Sequence, residues 1–168
     1  MKTLMSIYVF LTCLLGAAAV VEPRKEPPLM PAEVKFVERA GQSSLNEIHI
    51  ATLGTKKSQN PELKKLAGTL VTDHTAVLAE AKSLAVKNGI VLPTASDEVA
   101  AKTYKELDQK SGSDFDAAFI AYLDKGHIKS IKSFEEAQKT CRDADLKAWI
   151  DQTLLVIKAH HELIKKLK

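Results

Sequence analysis

Aromatic residues are scarce, with phenylalanine, tryptophan and tyrosine making up 5% of the 168-residue chain. Strands draw heavily on aromatic and β-branched side chains, so this scarcity, set against plentiful Ala, Leu, Lys and Glu, disfavours an all-β design. It favours helices packed through aliphatic side chains. A dominant charge is also missing, because 24 Lys and Arg nearly balance 21 Asp and Glu, for a formal net charge of +3. The charges are interspersed, and no basic patch interleaved with aromatics gives support to nucleic-acid binding. Cysteine is nearly absent. Of the two, Cys13 lies in the N-terminal apolar run, so removal of that run leaves Cys141 without an intramolecular partner. Long apolar stretches are lacking too. The run over 4–15 falls short of the roughly 20 residues that a membrane-spanning helix needs.

That run instead has the features of an export signal. Met1 and Lys2 give a short positive start, residues 4–15 an uncharged apolar core, and Gly16-Ala17-Ala18-Ala19 the small residues of a cleavage site. The reading is a signal peptide over 1–19, cut after Ala18 or Ala19, with the mature protein in the periplasm or cell envelope. Lipid attachment at Cys13 is the alternative, although Thr12 before it fits a lipoprotein signal poorly. Residues 20–31 hold Pro23, Pro27, Pro28 and Pro31 among charges and are expected to form an extended, poorly ordered lead-in. The remainder, 32–168, is long enough for one domain with a real core and too short for two.

Hydrophobic periodicity divides that domain into four long helices and a short one. A first helix is expected over 32–53, with Val34, Val37, Gly41, Leu45, Ile48 and Thr52 inward, Glu47 at the edge of the stripe and His49 facing solvent. A polar turn over 54–59 follows. Asn60-Pro61-Glu62 then opens the second helix, an N-cap amide followed by proline and an acid in the first turn, and Gly89 closes it. Its stripe is Leu63, Leu66, Ala67, Leu70, His74, Val77, Ala81 and Leu84. Residues 90–112 form a long connection with a short helix over 97–110. A connection of that length carries the chain from one end of a bundle to the other, leaving the second and third long helices parallel. Ser113 is expected to cap a third helix over 114–139, with Phe119, Leu123, His127, Ile131 and Phe134 inward. The last helix, over 144–167, turns Leu146, Trp149, Ile150, Thr153, Ile157, His160, Ile164 and Leu167 to the core.

Three histidines thus sit on three inward stripes. At about 1.5 Å rise per residue, His74 and His127 come to one level along parallel helices, with His160 roughly 5 Å lower and Glu47 lower again. These heights are compatible with convergence near mid-bundle. Imidazole and carboxylate ligands suit zinc, copper, nickel or iron, so Glu47, His74, His127 and His160 form a candidate site for a divalent transition metal. His161 is a substitute for His160 after a one-residue rotation, and Asp73, next to His74, points off its stripe. The competing reading makes each histidine a core residue hydrogen-bonded to Asp, Thr, Tyr104 or Tyr122. A di-iron centre of the Glu-x-x-His kind is excluded, because Val71 and Ile157 stand where the glutamates would.

These residues, taken together, resemble a family of exported bacterial proteins, the domain-of-unknown-function family 4142. The segments that carry the resemblance are Phe36-Val37-Glu38-Arg39-Ala40, Asn46-Glu47-Ile48, Asn60-Pro61-Glu62-Leu63-Lys64 and Asp73-His74-Thr75. Further along come Lys87-Asn88-Gly89-Ile90-Val91-Leu92-Pro93, Ser113-Asp114-Phe115-Asp116, His127, Phe134, Leu146-Lys147-Ala148 and Thr153-Leu154 through His160. The resemblance implies an all-α, ferritin-like four-helix bundle with the short extra helix in its long connection. It also implies recurrent polar positions at Glu47, His74, Asp116, His127 and His160. Phe119 departs from an expected tyrosine and Gly126 from an acid before the histidine, which thins the polar surroundings of any site.

Two functions fit this chain. One is an exported, non-enzymatic bundle that binds a metal ion or small ligand at its centre. The other is an envelope module whose polar core fixes packing while its exposed faces bind another envelope protein. No nucleophile accompanies a histidine in an arrangement that would point to an enzyme.

Overall fold

A computed structural model describes residues 28–168, and the expected signal peptide over 1–19, Cys13 and the first part of the lead-in lie outside them. The described residues form five helices: α1 (Pro31–Lys57), α2 (Pro61–Asn88), α3 (Glu98–Asp108), α4 (Gly112–Thr140) and α5 (Ala144–Lys165). The chain is all-α. Its caps follow the local chemistry. Asn60 Oδ1 accepts from the amides of Glu62 and Leu63, Asp97 Oδ1 from Ala100 and Asp143 Oδ1 from Leu146. Gly89 takes the left-handed conformation (φ 66°) that ends α2 without a Cβ clash.

Two hairpins, α1–α2 and α4–α5, are joined by the crossover that carries α3. Near the start of α1, Phe36 meets Phe134 late in α4 and Trp149 early in α5. Near its end, Gly54 meets Phe119 early in α4 and Ala67 early in α2. Hence α1 is antiparallel to both α2 and α4, and α2 and α4 run parallel as the long connection predicts. Lys87, at the end of α2, pairs with Asp145 at the start of α5, so that pair is antiparallel.

Four expectations need correction. Leu29, assigned to a poorly ordered lead-in, is buried against the end of the bundle. The first helix does not stop before Gly54 but runs on to Lys57, because Gly54 is a packing residue. A Cβ there would lie inside the van der Waals envelope of the Phe119 ring and 3.1 Å from the Ala67 Cβ. The buried face of α1 also differs from the expected one. Phe36, Ala40, Ser44, Glu47 and Ile50 are buried, while Val34, Leu45, Ile48 and Thr52 are only half-buried. The helix is covered by α2, α3 and α4 at once, which turns and widens its inner face. Finally, Ser111 rather than Ser113 precedes the third long helix, with Gly112 at φ 55° making the entry.

The apolar core is in two parts. One gathers Phe36, Val37, Val77, Phe134, Trp149, Ile150 and Ile157; the other gathers Ile50, Leu70, Phe115, Phe119, Leu123 and Ile164. Along each long helix polar residues stand between the two: Ser44 and Glu47 in α1, His74 in α2, His127 in α4 and His160 in α5. A polar layer therefore divides the bundle.

Candidate metal centre

Three of those residues come together. His74, His127 and His160 each offer a ring nitrogen, and the three atoms lie within 4.8 Å of one another. The ring centroids are 6.0 Å apart for His74 and His127, 5.5 Å for His74 and His160, and 5.6 Å for His127 and His160. Each histidine is there because its helix presents an inward stripe at three- and four-residue steps, and because the crossover brings α2 and α4 to the same level.

One nitrogen of two of the rings is already engaged, and this fixes which atom keeps a free lone pair. His127 Nδ1 lies 2.8 Å from the Leu123 carbonyl, which can only accept, so Nδ1 carries the proton and Nε2 keeps its lone pair. His160 Nε2 lies 2.8 Å from Asp73 Oδ2, so Nε2–H donates to the carboxylate and Nδ1 is bare. Both bare nitrogens are buried without a protein hydrogen-bond partner. His74 is half-buried as a residue, yet neither of its ring nitrogens reaches solvent or has a partner. A buried polar atom left unpaired costs about 1–3 kcal/mol. A metal ion, or a hydrogen-bond donor, at the centre of the cluster would satisfy them.

Protonation does not compete for His74 and His127 near neutrality. Burial pushes His74 down to about 3, reinforced by the neighbouring His160 and His127. Burial likewise takes His127 down to about 4, opposed by its bond to Leu123 and helped by His160. Both rings are neutral at pH 7, the form that binds a metal.

Glu47 stands apart. Burial pushes its carboxyl up to about 8, and Oε2 faces Gly126. The mutual 4.8 Å group contains the three histidines without it. Tyr122, itself pushed above the ordinary phenol range by burial and then by Glu47, is its neighbour on α4. Asp116 sits eleven residues before His127, about 16 Å along the helix, with one buried, unpartnered oxygen of its own. His161 does not replace His160; it pairs with Asp124 at 3.0 Å, where Lys168 also binds. His49, expected in solvent, is half-buried under Tyr104, with ring centroids 4.5 Å apart. Asp73, expected to point away, reaches across from α2 to α5. Periodicity assigns it to the flank of α2, and the flank is where a neighbouring helix comes within reach. Cys141 ends α4; burial and the nearby Glu33 push its thiol up to about 11, so it stays protonated and unreactive.

The chain belongs to the family described as a domain of unknown function (DUF4142), whose model matches residues 18–167. No curated protein matches it. Among solved structures, the chain is similar to a DUF305 fragment from Deinococcus radiodurans, at 13% identity and a TM-score of 0.75, over 84% of this chain and 97% of that one. It is also similar to CopM in a Cu(I)-bound form, at 18% identity and a TM-score of 0.68, over 80% of this chain and 93% of that one. The Ag-bound form of CopM matches at 21% identity and a TM-score of 0.66, with the same coverage. At such identities the likeness establishes the helical-bundle fold. No described helix is long and apolar enough to cross a membrane.

Proposed function

We propose that this member of the DUF4142 family is an exported metal-binding bundle whose centre holds a single transition-metal ion on His74 Nδ1 or Nε2, His127 Nε2 and His160 Nδ1. The observation that carries this reading is the pair of hydrogen bonds, to Leu123 and Asp73, that leaves one bare, buried nitrogen on each of two rings packed against the third. Metal-bound histidines commonly donate their other N–H to a carboxylate or carbonyl, which orients the ring and raises its basicity. An ion held at about 2.0–2.1 Å draws three nitrogens to about 3.4 Å apart. The rings therefore close in by about an ångström on binding.

Copper is the metal we favour among those that imidazole suits. Imidazole ligands are neutral when they bind a metal, so a monovalent ion brings one positive charge into the buried histidine cluster and a divalent one brings two. A buried net charge is costly. The similar CopM structures hold Cu(I), Cu(II) and silver, which supports the same choice. Export rests on the 1–19 signal and places the bundle in the periplasm or envelope.

Thermal unfolding after chelation, repeated with Cu(I), Ag(I), Zn(II) and Ni(II), tests the proposal. An ion that binds only the folded state adds about 2.7 kcal/mol of stability at a hundredfold excess over its Kd. A metal-selective rise that disappears in His74→Ala/His127→Ala is the expected result. No rise with any ion overturns the reading and leaves the polar layer as a packing device.

A further inference from the structure

A cavity of about 340 Å³ opens between α1 and α4, and none of the three clustered histidines lines it. Small side chains create it. Ala40 and Ser43 on α1 face Gly126, Ser130 and Ser133 on α4. Gly126 is not demanded by packing, since a Cβ there would have one neighbour within 4 Å, Glu47 Oε2 at 3.9 Å. Glycine inside a helix costs about 0.8–1.0 kcal/mol relative to alanine. What this glycine leaves is the space itself.

Glu47 closes the inner end of the cavity. It is 7% exposed, and its Oε1 has no hydrogen-bond partner. With burial holding its carboxyl up to about 8, it presents a proton at neutral pH and can donate. Arg39 and Lys129 stand at the exposed side, and neither forms an ion pair among the described residues. The Ser130 and Ser133 hydroxyls have no hydrogen-bond partner among the described residues, whereas Thr72, Thr75, Ser83 and Thr103 each bond to the carbonyl four residues back. The other carboxylate at the cavity, Asp97, is committed to the Asn46 amide and the Ala100 N–H. The lining therefore sets two cations, Arg39 and Lys129, against one anion, Asp97, with the Ser130 and Ser133 hydroxyls and the Glu47 carboxyl able to donate.

We propose that the cavity between α1 and α4 binds a small organic carboxylate, with its anionic head at Arg39, Lys129 and the Ser130 hydroxyl and a second oxygen at Glu47. From Gly126 to Ser130 the helix rises about 6 Å, the span of a four-carbon chain. A cation of the same length meets Arg39 and Lys129 and is repelled.

Chelated protein at pH 7, followed by amide chemical shifts during titration with succinate, gives the test. In a parallel titration 1,4-diaminobutane serves as the matched cation. Succinate is expected to shift amides over 39–47 and 126–133 in a saturable way, and 1,4-diaminobutane to leave them unmoved. Arg39→Gln/Lys129→Gln, on the surface, should weaken succinate at least tenfold. Gly126→Leu, which fills the cavity while improving helix propensity, should abolish it. Absence of saturable shifts with succinate, binding of the diamine in its place, or succinate binding indifferent to both variants overturns the proposal.

Discussion

His160 Nε2 donates to Asp73 Oδ2 at 2.8 Å, joining residues 87 positions apart and tying α5 to α2 at the level of the histidine cluster. That contact sets the tautomer of His160, leaves its Nδ1 bare beside His74 and His127, and supplies the one carboxylate bonded to the three rings among the described residues. Its removal should act on metal affinity. Asp73→Asn keeps an acceptor for Nε2–H but loses the charge, and a 10- to 100-fold weaker affinity is expected from such a change. Competition against a chelator of known Cu(I) affinity measures it, and an unchanged affinity would show that Asp73 plays no part.

The metal-free protein should be most stable near pH 6.5. His74 and His127 are depressed in the folded state, so the unfolded chain binds more protons between about 4 and 6.5, and stability falls as pH drops through that window. Glu47 is raised, so the folded state holds an extra proton between about 4.5 and 8, and stability falls as pH climbs through that window. One proton of difference changes stability by about 1.4 kcal/mol per pH unit. Denaturant titrations from pH 4 to 9 should show both limbs, with Glu47→Gln removing the alkaline one. A variant that declines above pH 6.5 as steeply as the parent contradicts the assignment.

Gly54→Ala should destabilise the bundle by about 1–3 kcal/mol, the cost of overpacking a filled core. The new Cβ meets the Phe119 ring, which stacks on Phe115 at 5.6 Å and cannot withdraw freely. Gly54→Ala/Phe119→Leu should recover part of the loss. Equal costs with and without Phe119→Leu, read by a double-mutant cycle, would contradict this contact.

The buried Glu33 carboxylate latches the bundle at its other end. It accepts from the Met30 and Arg142 amides at 2.8 Å each and from Asp143 at 3.3 Å. Burial opposes its ionisation, yet the amides of Arg142, Met30 and Asp143 hold it below the usual carboxylate value. Its contribution is therefore present above pH 4.5 and lost as pH falls through the lowered value. Glu33→Ala leaves the Arg142 and Asp143 amides unpaired and should cost about 1–3 kcal/mol at pH 7. A cost below 0.5 kcal/mol would contradict the latch.

Much of this architecture was legible in the chain, and the failures have a common cause. The stripes of α2, α4 and α5 are legible because each of these helices buries one well-defined face, and Asn60 and Gly89 mark the ends of α2 by their own chemistry. Heights along parallel helices are compatible with the convergence of His74, His127 and His160, which the packed structure then brings about. α1 was misread because three helices cover it, so its inner face is broader than one stripe and Glu47 lies within it. Gly54 looked like a stop because a glycine's spacing does not reveal a ring packed against it. Asp73 was set aside because periodicity assigns a face and says nothing of how far a flank reaches. Asp116 entered through family recurrence, which carries no information on distance.

Copper-edge X-ray absorption on the Cu(I)-loaded protein tests the central claim most directly. Three nitrogen scatterers near 2.0 Å with imidazole multiple scattering, and no scatterer at the roughly 2.3 Å of sulfur, are the expected shell. A sulfur shell, which would move the ion to Cys141 or Met30, or a nitrogen shell unchanged in His74→Ala/His127→Ala, would contradict the histidine centre.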